Sequence, residues 1–98
     1  MDREFKGIWI PQEIWLSEHL SLQEKIILAE IESLTQNDKG YCCVSNKYFS
    51  EFFGLSPSRI SHIISDLSKK GILDTENVKK GKQIIERRIR INTDAELL

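Results

Sequence analysis

Asn46-Lys47-Tyr48-Phe49-Ser50-Glu51-Phe52-Phe53-Gly54-Leu55-Ser56-Pro57-Ser58-Arg59-Ile60-Ser61-His62-Ile63-Ile64-Ser65-Asp66-Leu67-Ser68-Lys69-Lys70 reads as two helices joined by a tight turn. Ser45 or Asn46 caps the first helix, which runs through about Phe53. Gly54 stops it, since glycine turns left-handed without a Cβ penalty. Ser56-Pro57 restarts a helix with a capping hydroxyl and a proline whose missing N–H costs nothing in the first turn. Ile60, Ile63, Ile64 and Leu67 then form a single apolar stripe. Gly71 ends the helix after Lys69 and Lys70, whose charges suit a helix C-terminus.

Upstream, Tyr41-Cys42-Cys43-Val44 is apolar and β-prone and is expected to be a short strand, with Asn37-Asp38-Lys39-Gly40 a turn before it. Ser21-Leu22-Gln23-Glu24 is a capping box, and Leu22, Ile26, Ala29 or Glu30, and then Ile27, Ile31 and Leu34 follow at helical spacing, which predicts a helix from about 22 to 36. Gly7-Ile8-Trp9-Ile10-Pro11 and the residues to Leu16 read as an extended lead-in and a short helix. Downstream, the arms Ile72 to Val78 and Gln83 to Asn92 flank the tip Lys79-Lys80-Gly81-Lys82, a β-hairpin. Ile85, Ile89 and Ile91 alternate with Glu86, Arg88 and Arg90. Arg87 falls on the isoleucine face, and is expected near the exposed end of its arm, stem packed and head in water. Thr93 to Leu98 carries no strong signal.

The 98 residues make one domain, 1–98, with 40% hydrophobic and 30% charged side chains. That mix excludes a disordered tail, a collagen-like repeat and a membrane span. From the charged opening Met1-Asp2-Arg3-Glu4-Phe5 no secretory leader is expected. Adjacent Cys42 and Cys43 suit neither a relaxed disulfide nor a four-ligand zinc site. They are read as reduced thiols in the cytosol, at least one of them a small buried hydrophobe. Net charge is −1, yet it is unevenly spread. Residues 1–40 hold four basic against eight acidic side chains, and residues 57–92 hold nine against four, or −4 and +5. The asymmetry points to a basic face opposed to an acidic one.

Counted from Asn46, the pair of helices fits the helix-turn-helix pattern at every diagnostic position. Phe49 is the hydrophobe at the fourth, Ser50 the small residue at the fifth, and Phe53, Gly54 and Leu55 occupy the eighth to tenth. Ile60 and Ile63 fill the fifteenth and eighteenth, and the one departure is Ser50 in place of the more usual alanine. A helix-turn-helix followed at once by a basic-tipped hairpin resembles the winged-helix family over residues 21–92. The front of the chain, Gly7-Ile8-Trp9-Ile10-Pro11, Glu13-Ile14-Trp15-Leu16 and Leu20-Ser21-Leu22-Gln23-Glu24-Lys25, is similar to the N-terminal domain of phage and plasmid replication-organiser proteins of Gram-positive bacteria. Primosomal proteins of the DnaD type have related domains. The resemblance implies an α+β winged helix: a three-helix core with its helix-turn-helix over 46–70, a β-hairpin wing over 72–92 and a short extra N-terminal helix.

Burying the apolar stripe of helix 57–70 presents Ser58, Arg59, Ser61, His62, Ser65 and Lys69 on the opposite face. Small hydroxyls let such a helix enter a major groove about 12 Å wide and bond phosphates or base edges. Arg59 is the candidate for bidentate contact with guanine, with surface pairing to Asp66 or Glu51 as its alternative. Ser56 and Ser58 are placed for phosphate at the helix N-terminus. Lys79, Lys80 and Lys82 at the hairpin tip would meet an adjacent groove or backbone, and Lys47 a phosphate from the preceding helix. His62 is expected to be an exposed polar residue, and His19 structural. Trp9, Trp15, Tyr48, Phe49, Phe52 and Phe53 are expected in the core, and Glu24 and Glu30 are accounted for by capping and surface exposure. No nucleophile triad, phosphate loop or paired carboxylates appear, so neither an enzyme, a cofactor nor a metal is expected. The resulting expectation is a cytoplasmic double-stranded-DNA-binding protein of phage or plasmid replication initiation, with a replisome protein as a possible partner. The alternatives are a small repressor, homodimeric through a face bearing Trp9, Ile14 and Trp15, and a winged helix that binds proteins.

Overall fold

A computed structural model describes residues 7–36 and 38–92. The charged opening, Asn37 of the expected turn and the stretch from Thr93 lie outside them. The chain forms α1 (Gln12–Trp15), α2 (Leu22–Thr35), α3 (Asn46–Phe53), α4 (Pro57–Lys69), β1 (Leu73–Lys80) and β2 (Gln83–Ile91). This is the α+β winged helix that the sequence leads one to expect, with helices first and an antiparallel hairpin last.

Local chemistry sets the boundaries. Ser21 and Glu24 form a reciprocal capping box at the start of α2, the Ser21 N–H donating to Glu24 Oε1 at 2.9 Å. Ser45 accepts from the Tyr48 N–H and Ser56 from the Arg59 N–H, so both helix-turn-helix segments carry a side-chain N-cap. Gly54 closes α3 in the left-handed region at φ +69. At the end of α4 the Ile72 N–H donates to Leu67 O and the Gly71 N–H to Ser68 O, a Schellman closure with Gly71 at φ +77. Leu67 and Ile72, the apolar pair of that closure, are both buried.

The core lies where α2, α3 and α4 meet the base of the wing. Phe49, Ile60, Leu67 and Ile89 are wholly buried there, joined by Ile27, Leu28, Ile31 and Ile63. Tyr41–Val44 is less than the expected strand: Cys42 alone bridges to Ile89, with reciprocal N–H···O bonds of 2.8 Å. Cys42 is buried and Cys43 exposed. Burial also pushes the Cys42 thiol up from its ordinary pKa.

Several expectations about burial are corrected. Trp9 is 84% exposed and Trp15 48%; Lys25 instead covers the Trp15 ring, its Nζ 5.2 Å from the ring centroid. Ile14, by contrast, is buried in the core and is not available to a dimer face. Glu30 is no surface residue: it is 1% exposed, and the Tyr48 hydroxyl lies 3.4 Å from its Oε2. Ile85 leaves the isoleucine face at a β-bulge. Val78 pairs with Glu86 but Lys79 pairs with Ile84, so Ile85 is the extra residue and stands exposed beside Ile84. Lys79 and Lys80 belong to β1, leaving Gly81-Lys82 as a two-residue turn with glycine first, at φ +64.

Candidate nucleic-acid interface

The apolar stripe of α4 is buried, and Ser58, Arg59, Ser61, His62, Ser65 and Lys69 all lie exposed on its other side. The wing folds back toward this face. Ser61, Ile64, Ser65 and Ser68 of α4, Thr75 and Asn77 of β1, Arg87 of β2 and Asn46 of α3 line one open polar cleft of about 270 Å³. Helix and wing therefore border a shared concavity. Lys79, Lys80 and Lys82 are exposed at the far end of the ribbon. Lys47 is exposed in the first turn of α3, beside the cleft residue Asn46.

Arg87 holds the base of this arrangement, contrary to the expectation that its head would reach water. Its Nη1 donates to Asn46 Oδ1 at 2.6 Å and its Nη2 to the Val44 carbonyl at 2.9 Å, while Nε is buried without a partner. Burial pulls its pKa below the ordinary arginine value, partly offset by the neighbouring Cys42. The reason is register: Arg87 shares the inner face of β2 with Ile89 and points at the start of α3. The outer face carries Arg88, which pairs with Glu86 at 2.8 Å and Glu76 at 3.7 Å. Arg88 and Arg90 both lie over the Tyr41 ring, at 4.8 and 5.1 Å from its centroid.

Arg59 takes neither expected carboxylate. Its Nε and Nη2 both donate to Gln23 Oε1 on α2, at 3.0 and 2.7 Å. Asp66 faces His62 instead, 3.5 Å from Nε2 across one helical turn. Ser56 spends its oxygen capping α4 through the Arg59 N–H at 3.1 Å. His19 contributes through its backbone, accepting from Lys70 Nζ at 2.9 Å. The same ammonium lies 2.9 Å from both Glu24 carboxylate oxygens, tying the end of α4 to the start of α2. Burial raises the Glu24 pKa, but the Ser21 N–H and then Lys70 more than reverse this, leaving the carboxyl below its usual range.

The structure thus brings Ser61 and Ser65 together with wing residues that sequence reasoning passed over: Thr75, Asn77 and Arg87. Asn46, Ser68 and Gln23 were also missed as neighbours of the site. The off-pattern position of Arg87 was a legible signal; Gln23 gave none beyond its place in a capping box. A larger concavity, about 570 Å³, is lined by α1, α2 and the end of β2, with no residue from α3 or α4. Among the described residues no cluster of three metal-ligating side chains occurs, and no helix is long and apolar enough to cross a membrane.

No curated protein and no solved structure matches the chain. A family model described as a helix-turn-helix domain matches residues 18–73, which is more than half of the sequence and spans α2, α3 and α4. The chain belongs to the helix-turn-helix domain family.

Proposed function

We propose that the protein binds double-stranded DNA, with α4 in the major groove and the wing tip on the adjoining backbone, and that it serves phage or plasmid replication initiation in the cytoplasm. The observation that carries this reading is the polar cleft shared by the Ser61–Ser65 face of α4 and the Thr75, Asn77 and Arg87 face of the wing. Its two walls come from the elements expected to touch DNA. Hydroxyls and amides on those walls suit phosphate and base-edge hydrogen bonds, and exposed Lys79, Lys80 and Lys82 add positive charge at the far end of the ribbon. The protein then acts as a binding module and not an enzyme. The replication role is supported by the similarity of the Gly7–Leu16 and Leu20–Lys25 segments to replication-organiser proteins.

Anisotropy titration on duplex DNA across a salt series tests the reading. Neutralising about four to six phosphates gives a log–log slope of roughly −4 to −5. Affinity that ignores salt, or no duplex binding at all, would overturn it. Footprinting tests the role: a repeated array at an origin fits replication, and a symmetric site at a promoter fits a dimeric repressor.

A second reading is favoured by one observation, the exposure of Trp9, Trp15, Leu16 and Leu22. Those side chains suit a protein contact, with another copy or a replisome protein. Recovery of a replisome protein by a chain that leaves DNA unbound would support it over the first.

A further inference from the structure

We infer that Gln23 is a positioning residue for Arg59 and, through it, a determinant of DNA sequence preference. The inference rests on the duplex-binding reading above. A guanidinium has two edges that can grip a planar partner in bidentate fashion, one formed by Nε and an Nη, the other by the two Nη groups. Gln23 Oε1 occupies the first, accepting from Nε at 3.0 Å and Nη2 at 2.7 Å. The Nη1–Nη2 edge is left to meet guanine O6 and N7.

Backbone chemistry fixes both ends of this tether. Gln23 sits in the first turn of α2, inside the capping box of Ser21 and Glu24. Arg59 sits in the first turn of α4, its own N–H held by the Ser56 cap. A long side chain loses rotamer freedom when it binds, and here α2 has already restricted it in the free protein. Gln23 is neutral, so Arg59 keeps its charge for DNA. An acidic residue would tether it as well and cancel that charge.

The test uses the full chain with two duplexes: the site it selects from a random pool, and a random-sequence duplex of equal length. Gln23→Met removes the acceptor at similar length and helix propensity. It is expected to lower the preference for the selected site by about two- to tenfold, the freedom of one long side chain, while random-duplex affinity and melting temperature stay unchanged. In an Arg59→Ala background Gln23→Met is expected to change the preference no further. Gln23→Glu keeps the tether, so preference is retained while affinity for both duplexes falls.

Unchanged preference in Gln23→Met overturns the inference, as does an equal effect with and without Arg59. So does tighter binding by Gln23→Met, which would make the tether a restraint and not a support. A wild-type chain that binds all duplexes alike overturns the inference and leaves duplex binding standing. Absence of duplex binding overturns both.

Discussion

The polar face of α4 stands on a helix secured at both ends, whereas the lysines of the wing stand on a ribbon that outruns the core. At its start α4 has the Ser56 cap; at its end it has the Schellman closure and the Lys70–Glu24 pair. Among the described residues the wing is secured near its base, by the Cys42–Ile89 bridge, the Arg87 bonds to Asn46 and Val44, Arg88 and Arg90 over the Tyr41 ring, and the Asn92 bonds to Gly71 and Ile72. Beyond the bulge at Ile85 its side chains are exposed, Ile84 and Ile85 included. The difference suits the two tasks proposed for helix and wing. Base-edge recognition needs donors fixed in place, and a braced helix supplies them. Backbone attraction needs only charge within reach, and a projecting ribbon is sufficient.

The largest effect expected from that contrast is on stability. Phe49 is fully buried at the joint between α3 and α4, so Phe49→Ala is expected to cost about 3–5 kcal/mol in chemical denaturation. A loss below about 1 kcal/mol would mean the helix pair is not the rigid element of the molecule.

Binding should divide along the same line. Arg59→Ala is expected to cost about 1–3 kcal/mol on the selected site and clearly less on random DNA, where only its charge is lost. Lys80→Ala should weaken all sequences alike and reduce the salt slope by about 1. Equal losses on both duplexes for Arg59→Ala would erase the distinction between helix and wing.

The brace at the C-terminal end of α4 should show in the pH dependence of folding. The Glu24 carboxyl is held below its usual range, so its contribution is complete above the ordinary glutamate value of about 4.3 and is lost as pH falls through the depressed folded value. Glu24→Gln is expected to destabilise by about 1–2 kcal/mol at neutral pH, and the gap to wild type should narrow on acidification below about pH 4. A gap independent of pH would show that Lys70 does not brace α4 through charge.

The smallest effect belongs to the wing beyond its bulge. Ile85→Thr is expected to change stability by less than about 0.5 kcal/mol, because the side chain already faces water. A loss above about 1 kcal/mol would place the tip of the ribbon within the folded core.

Much of this architecture was legible in residue order. The apolar stripe Ile60, Ile63, Ile64 and Leu67, the caps at Ser21 and Ser56, and the stops at Gly54 and Gly71 act over a few residues, and each appears in the structure where its spacing puts it. The exposure of Ser58, Arg59, Ser61, His62, Ser65 and Lys69 followed from the same helical period. Local chemistry of this kind needs no knowledge of the remote chain.

Tertiary structure decided the pairings. Whether Arg59 meets Asp66, Glu51 or Gln23 depends on how α2 crosses the start of α4, and Gln23 lies 36 positions away. Whether Arg87 reaches water depends on which side of β2 meets α3, and whether Ile85 is buried depends on where a bulge shifts the register and the core ends. Trp9, Trp15 and Glu30 fall under the same rule. Aromatic or acidic character sets the cost of a location, but only the packing of neighbouring elements determines which location is occupied.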